Sequence, residues 1–180
     1  MPLYPFGFGL GYSTFGYAAL VVSHAVLLAA SDPSAELSVS VAVTNRGEYA
    51  AGPSSEVGML SNPTPTPTPT PTPSAHPNRD RDPEQVVMLF ARPSRLEAAP
   101  PSTPRQMLLA FERVEVPPGR TATAALRVPS KRLRLVGADG SFALQRGEYE
   151  LFVGGRAPGD ALGTPRGSAG EPLRRVLRVV

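Results

Sequence analysis

Short apolar segments alternating residue by residue with polar ones, each closed by turn-forming residues, limit this chain to a narrow set of folds. The stretch 36–44 reads ELSVSVAVT, placing Leu37, Val39, Val41 and Val43 on one side and Ser38, Ser40, Ala42 and Thr44 on the other. A period of two is the signature of a half-buried strand. Asn45, Arg46 and Gly47 follow, and Asn and Gly tolerate the positive φ that turns require. The pattern recurs downstream. Residues 84–92 (EQVVMLFAR) are apolar almost throughout and suit a central strand. Residues 105–116 (RQMLLAFERVEV) end at Pro117, Pro118 and Gly119, a clear turn signal. In 121–128 (TATAALRV), Ala122, Ala124, Leu126 and Val128 share a face. Residues 133–136 form a short link, and Ala138, Asp139 and Gly140 turn the chain before 141–144. Residues 148–153 (EYELFV) put Tyr149, Leu151 and Val153 together, and 173–180 supply a last strand after a Gly- and Pro-rich loop at 154–172.

Seven or eight short strands with no long amphipathic helix predict an all-β fold, a two-sheet antiparallel β-sandwich of immunoglobulin/fibronectin type III-like form. Hydrophobic residues at 41% of the chain are enough for one packed core. The absence of cysteine excludes a disulfide framework and thiolate chemistry. It also removes the Cys…Trp…Cys hallmark, which favours fibronectin type III relatives over antibody-type domains.

Two segments depart from the strand pattern. Residues 1–17 alternate aromatics with glycines, and Gly7, Gly9 and Gly11 exclude a stable helix because each interior glycine costs up to ~1 kcal/mol relative to alanine. We read them as an extended linker whose aromatics need a surface to lie on. The sandwich is expected to occupy 18–180, interrupted at 53–83. In the centre of that interruption, 62–74, proline alternates with threonine, and because each proline lacks an amide donor and fixes φ the segment cannot join a sheet. It is expected to be a disordered polyproline II spike, with threonines available to O-glycans in a secreted protein.

The apolar run 18–30 falls short of the ~20 residues needed to cross a bilayer. No basic region precedes it, so it is expected to form buried strands, with no signal peptide and no membrane insertion. The formal charge of +3 comes from scattered arginines, of which Arg174, Arg175 and Arg178 come nearest to a cluster. A nucleic-acid footprint would gather basic residues on one face, so no nucleic-acid partner is expected.

No pattern of residues suggests catalysis. Glu148 and Glu150 share the outward face of a strand, Glu112 and Glu115 flank a strand end, and Asp80, Asp82 and Glu84 lie at the polar end of the insertion. The two histidines, His24 and His76, have no convergent ligand set for a metal. The glycines at 7–11 lack the strand-loop-helix context of a phosphate loop. Catalytic, metal and cofactor-binding residues are therefore expected to be none.

Specific wording carries a resemblance. The opening LYPFGFGLGYSTFGY resembles the segment that joins the catalytic region of family 3 glycoside hydrolases, the β-glucosidases and β-xylosidases, to their terminal fibronectin type III-like domain. In that family it runs PLYPFG, an aromatic or His, then GLSYTTF; here Gly11 replaces the serine. Further blocks agree in order. Residues 41–47 (VAVTNRG) are similar to VTVTNTG, and Ala51 and Gly52 with 84–92 to AGDEVVQLYVR. Residues 104–114 (PRQMLLAFERV) are similar to PxxELKGFERV, 117–121 to a PGET-type turn, and 147–155 (GEYELFVGG) to GEYEVxVG. The insertion parts Gly52 from Glu84 where the family has a short step.

The resemblance implies a non-catalytic accessory domain. The family's nucleophilic aspartate lies on a barrel domain, and its acid/base usually comes from the following α/β domain. This chain is accordingly expected to be a fragment of a longer enzyme that removes β-linked glucose or xylose. Its partners would be the catalytic domains of that enzyme, contacted through Tyr4, Pro5, Phe6, Phe8, Leu10, Tyr12 and Phe15, with self-association when isolated. No cofactor is implied, and an extracellular or vacuolar location follows from the family alone. The alternative is a free-standing binding or adhesion module carried on a glycosylated Pro-Thr spacer.

Overall fold

The computed structural model describes residues 5–8, 13–23, 26–27, 36–47, 84–137, 139–159 and 171–180. Among the described residues ten strands follow in chain order: β1 (Phe15–Val22), β2 (Val26–Leu27), β3 (Glu36–Asn45), β4 (Glu84–Leu96), β5 (Met107–Glu115), β6 (Thr121–Pro129), β7 (Leu135–Val136), β8 (Phe142–Ala143), β9 (Gly147–Gly154) and β10 (Leu173–Val179). A four-residue 3-10 helix, Ser130–Leu133, sits between β6 and β7. The long insertion predicted at 53–83, including the Pro-Thr tract, lies outside the described residues. No helix among the described residues is long and apolar enough to cross a membrane.

Two sheets pack face to face in the sandwich the sequence predicts, and every pairing in them is antiparallel except that of β2 with β10. One has the order β1-β3-β6 and the other β2-β10-β9-β4-β5, while β7 and β8 form a small hairpin. Alternation explains which side chains meet between them. Leu37, Val39, Val41 and Val43 of β3, with Ala124, Leu126 and Val128 of β6, face Val87, Leu89 and Ala91 of β4 and Tyr149, Leu151 and Val153 of β9; all are buried. Burial of side chains this size stabilises by about 1.5–3 kcal/mol each for the larger ones, the dominant favourable contribution to the fold.

The structure refines the sequence reading in three places. β1 begins at Phe15 and pairs Phe15 with Asn45, Gly16 with Thr44 and Tyr17 with Val43, so these three residues are strand, not linker. The segment expected as buried strands over 18–30 divides between the sheets: β1 joins β3, and β2 runs parallel to the end of β10. A register shift between Ala18 and Val21, with Ala19 at φ 49°, turns the strand on the way. Finally, β4 continues beyond Arg92 to Leu96. Pro93 cannot donate to the ladder, and the register shift between Pro93 and Arg95 absorbs it.

Tertiary hydrogen bonds tie the ends of the strands together. The Asn45 side chain, fully buried, donates Nδ2–H to the Val116 carbonyl at 3.0 Å and accepts the Gly47 amide at 2.9 Å. Its backbone bonds reach Arg120 and Gly119. One residue thus locks the end of β3 to the turn between β5 and β6. At the start of β9, buried Tyr149 donates its hydroxyl to the Gln145 carbonyl at 3.0 Å, the tyrosine corner of immunoglobulin-like sandwiches.

Candidate domain interface

The described part of the linker is a tight turn lying against the sandwich. Phe8 N–H donates to the Pro5 carbonyl at 3.1 Å, and Gly7, at φ 86°, occupies a position of the turn that L side chains rarely adopt. The turn is anchored by Ala157 N–H donating to the Phe6 carbonyl at 2.8 Å. It fits closely. A Cβ on Gly7 would come within 2.7 Å of the Gly155 carbonyl and 2.9 Å of Met88 Cε. The Arg156 guanidinium lies 5.7 Å from the centre of the Phe8 ring, within cation–π range.

The loop that receives the turn is held from its other side. Gln85 Nε2–H donates to the Tyr17 hydroxyl at 3.1 Å, and the backbone of Gly155 bonds the same hydroxyl. A Cβ on Gly155 would fall 2.4 Å from Gln85 Nε2 and 2.6 Å from the Tyr17 oxygen, so a larger residue here would displace that pair of side chains. Burial pushes the Tyr17 phenol up from 10.0 to about 12, against the opposing pull of the Gln85 bond. Residues of β1, β4 and the end of β9 thereby form a rigid seat for residues 5–8.

Beneath the turn, β4 is apolar on both of its faces. Val87, Leu89 and Ala91 enter the main core, whereas Met88 and Phe90 form a second, smaller cluster with Ala157, flanked by Val86 and Phe152. The register carries this outer face onto β5, with Met88 opposite Phe111 and Phe90 opposite Leu108. There the cover ends: Phe111 is 63% exposed and Leu108 43%.

The proposed contact residues separate into different environments. Phe6 is 67% exposed and Phe8 42%, Pro5 is half-buried, and Phe15 is buried within the core of the sandwich itself. Tyr4, Leu10 and Tyr12 lie outside the described residues. Phe15 therefore serves this domain's own packing: the aromatic pattern alone could not separate it from its neighbours. Leu108 and Phe111, missed in the sequence, belong to the same outer face as Met88 and Phe90. Their signal was present in the unbroken apolar run of residues 107–111, which marks a strand with two apolar faces.

The acidic residues singled out in the sequence do not converge, and Glu148 and Glu150 of β9 are half-buried. Glu150 of β9 pairs with Arg174 of β10, and Glu84 meets Arg113 at 3.3 Å. Glu112 and Glu115 are exposed on β5. Asp80, Asp82, His24 and His76 lie outside the described residues. Among the described residues no group of three His, Asp or Glu side chains could hold a metal ion.

Residues 85–157 match the family model of the fibronectin type III-like domain. A β-glucosidase of Rhizobium radiobacter is 29% identical over 157 residues, which cover 87% of this chain and 14% of that protein. A putative β-xylosidase of Formosa agariphila is 24% identical over 153 residues, 85% of this chain and 15% of that protein. Residues 85–157 are thus similar to a fibronectin type III-like domain, and most of the chain is similar to part of a β-glucosidase and of a putative β-xylosidase. Solved structures agree on the fold of this domain. A β-glucosidase of Erythrobacter marinus superposes with a TM-score of 0.61 at 23% identity, covering 100% of this chain and 17% of that one. The β-glucosidase of Listeria innocua gives 0.60 at 18% identity, covering 99% and 18%. The chain thus spans less than a fifth of the length of these relatives.

Proposed function

We propose that the chain is the accessory β-sandwich of a larger glycosidase that removes β-linked glucose or xylose, and that residues 5–8 help hold the sandwich on the catalytic body. The observation that carries this reading is the coverage: relatives match 85% and 87% of the chain, yet the match is only 15% and 14% of their own length. The geometry supports it. Glycoside hydrolysis by retention needs two carboxyl groups about 5–5.5 Å apart flanking the sugar. Here Glu150 of β9 and Glu84 of β4 are each paired with an arginine, so we assign the chemistry to the catalytic body.

Intact-mass measurement of the native protein that yields peptides of this chain, with a β-glucoside and β-xyloside hydrolysis assay on the same preparation, tests the reading. A mass several times the 19.0 kDa of this chain, together with hydrolysis of either substrate, is expected. A 19.0 kDa product without hydrolysis would sink it and leave the free-standing binding module, to be examined by glycan pull-down. Hexose-sized mass increments on peptides from 62–74 would support export from the cytosol to the cell exterior or the vacuole.

A further inference from the structure

We propose that the outer face of the five-stranded sheet, at the end marked by Phe6, Phe8, Leu108 and Phe111, is the seat of the preceding catalytic region of the parent glycosidase. This inference rests on the accessory-domain reading and specifies its contact surface. An antiparallel sheet in a sandwich ordinarily has one face on the core and one in water. Here the water-side face of β4 is apolar, and its residues Met88 and Phe90 are only 5% exposed each.

The turn at residues 5–8 and the loop at 155–157 supply part of that cover, through Gly7 against Met88 and Ala157 beside Phe90. The cover stops short of the sheet edge. Phe111, directly opposite Met88 in the register, is 63% exposed, and Phe6 on the turn is 67% exposed. Large aromatics that flank a half-covered cluster are the usual anchors of an interface. The occupant follows from the chain path. The turn belongs to the segment leading into the sandwich, and it is fastened to this face by the bond from Ala157 N–H to the Phe6 carbonyl. Whatever precedes residue 5 in a protein of the relatives' size is therefore tethered beside Phe111, at high effective concentration.

Hydroxyl-radical footprinting compares the native protein with the separately produced 180-residue chain at low concentration. Phe6, Phe8, Leu108 and Phe111 are expected to label several-fold more slowly in the native protein. Phe142, 69% exposed on β8, and Val136, 39% exposed on β7, are expected to label equally in both. Equal labelling of the four residues in a native protein that is large and hydrolytic would overturn the docking face while leaving the accessory-domain reading intact. A native product of 19.0 kDa would overturn both. Protection of the isolated chain that grows with its concentration, and matches that of the native protein, would assign the face to a second copy and also overturn the proposal.

Discussion

Asn45 shows how much of the sandwich can depend on one short polar side chain. It is fully buried and serves two backbone groups, the Val116 carbonyl and the Gly47 amide. Asn45→Ala strands both, and a loss of about 2–3 kcal/mol is expected by urea denaturation. Asn45→Asp should also destabilise, because a carboxylate cannot donate to Val116. Asparagine is easily assigned to the turn from sequence, since it tolerates unusual φ, but its bond to a residue 71 positions away is not visible there. The buried tyrosines add a pH dependence. Burial raises both Tyr17 and Tyr149 from 10.0 to about 12. In the unfolded chain the phenols ionise near 10, so their contribution is fully present below that pH and is lost as pH rises towards 12. Urea midpoints should hold to about pH 10 and fall between 10 and 12, and Tyr149→Phe should flatten part of that fall.

At the scale of elements, the turn at residues 5–8 is the piece whose placement sequence reasoning left incomplete. Aromatic-glycine alternation identified a segment that needs a surface, and the family resemblance implied that a catalytic domain supplies it. The structure shows that the same segment also lies on its own sandwich. Gly7 permits this because φ 86° and the 2.7 Å approach to Gly155 exclude a side chain. Gly7→Ala should lift the turn while leaving the main core folded. The Ala157 amide is then expected to exchange roughly tenfold faster or more, with a nearly unchanged global melting temperature. β4 teaches a related lesson. Its nearly continuous apolar run suited a central strand, yet which elements cover its outer face depends on the loop after β9 and the turn before β1, far apart in the chain.

For the molecule as a whole, the uncovered end of the outer face sets its behaviour in isolation. With Phe6, Phe8, Leu108 and Phe111 all above 40% exposed, the separated chain is expected to bind hydrophobic dyes and self-associate as concentration rises. Sedimentation velocity over a concentration series checks this, and a clean monomer that excludes the dye would count against it. Replacing Phe111 and Leu108 by serine should shift the chain towards monomer without loss of the main core, since neither side chain enters it. The all-β class, the strands with their inward faces and the family wording were readable from local sequence, because alternation and turn chemistry act over a few residues. Tertiary structure alone decided the rest: the division of residues 15–27 between two sheets, the capture of Phe15 by the core, and the joining of the linker to the outer face. Each depends on contacts between segments remote in sequence, whose energies no local pattern records.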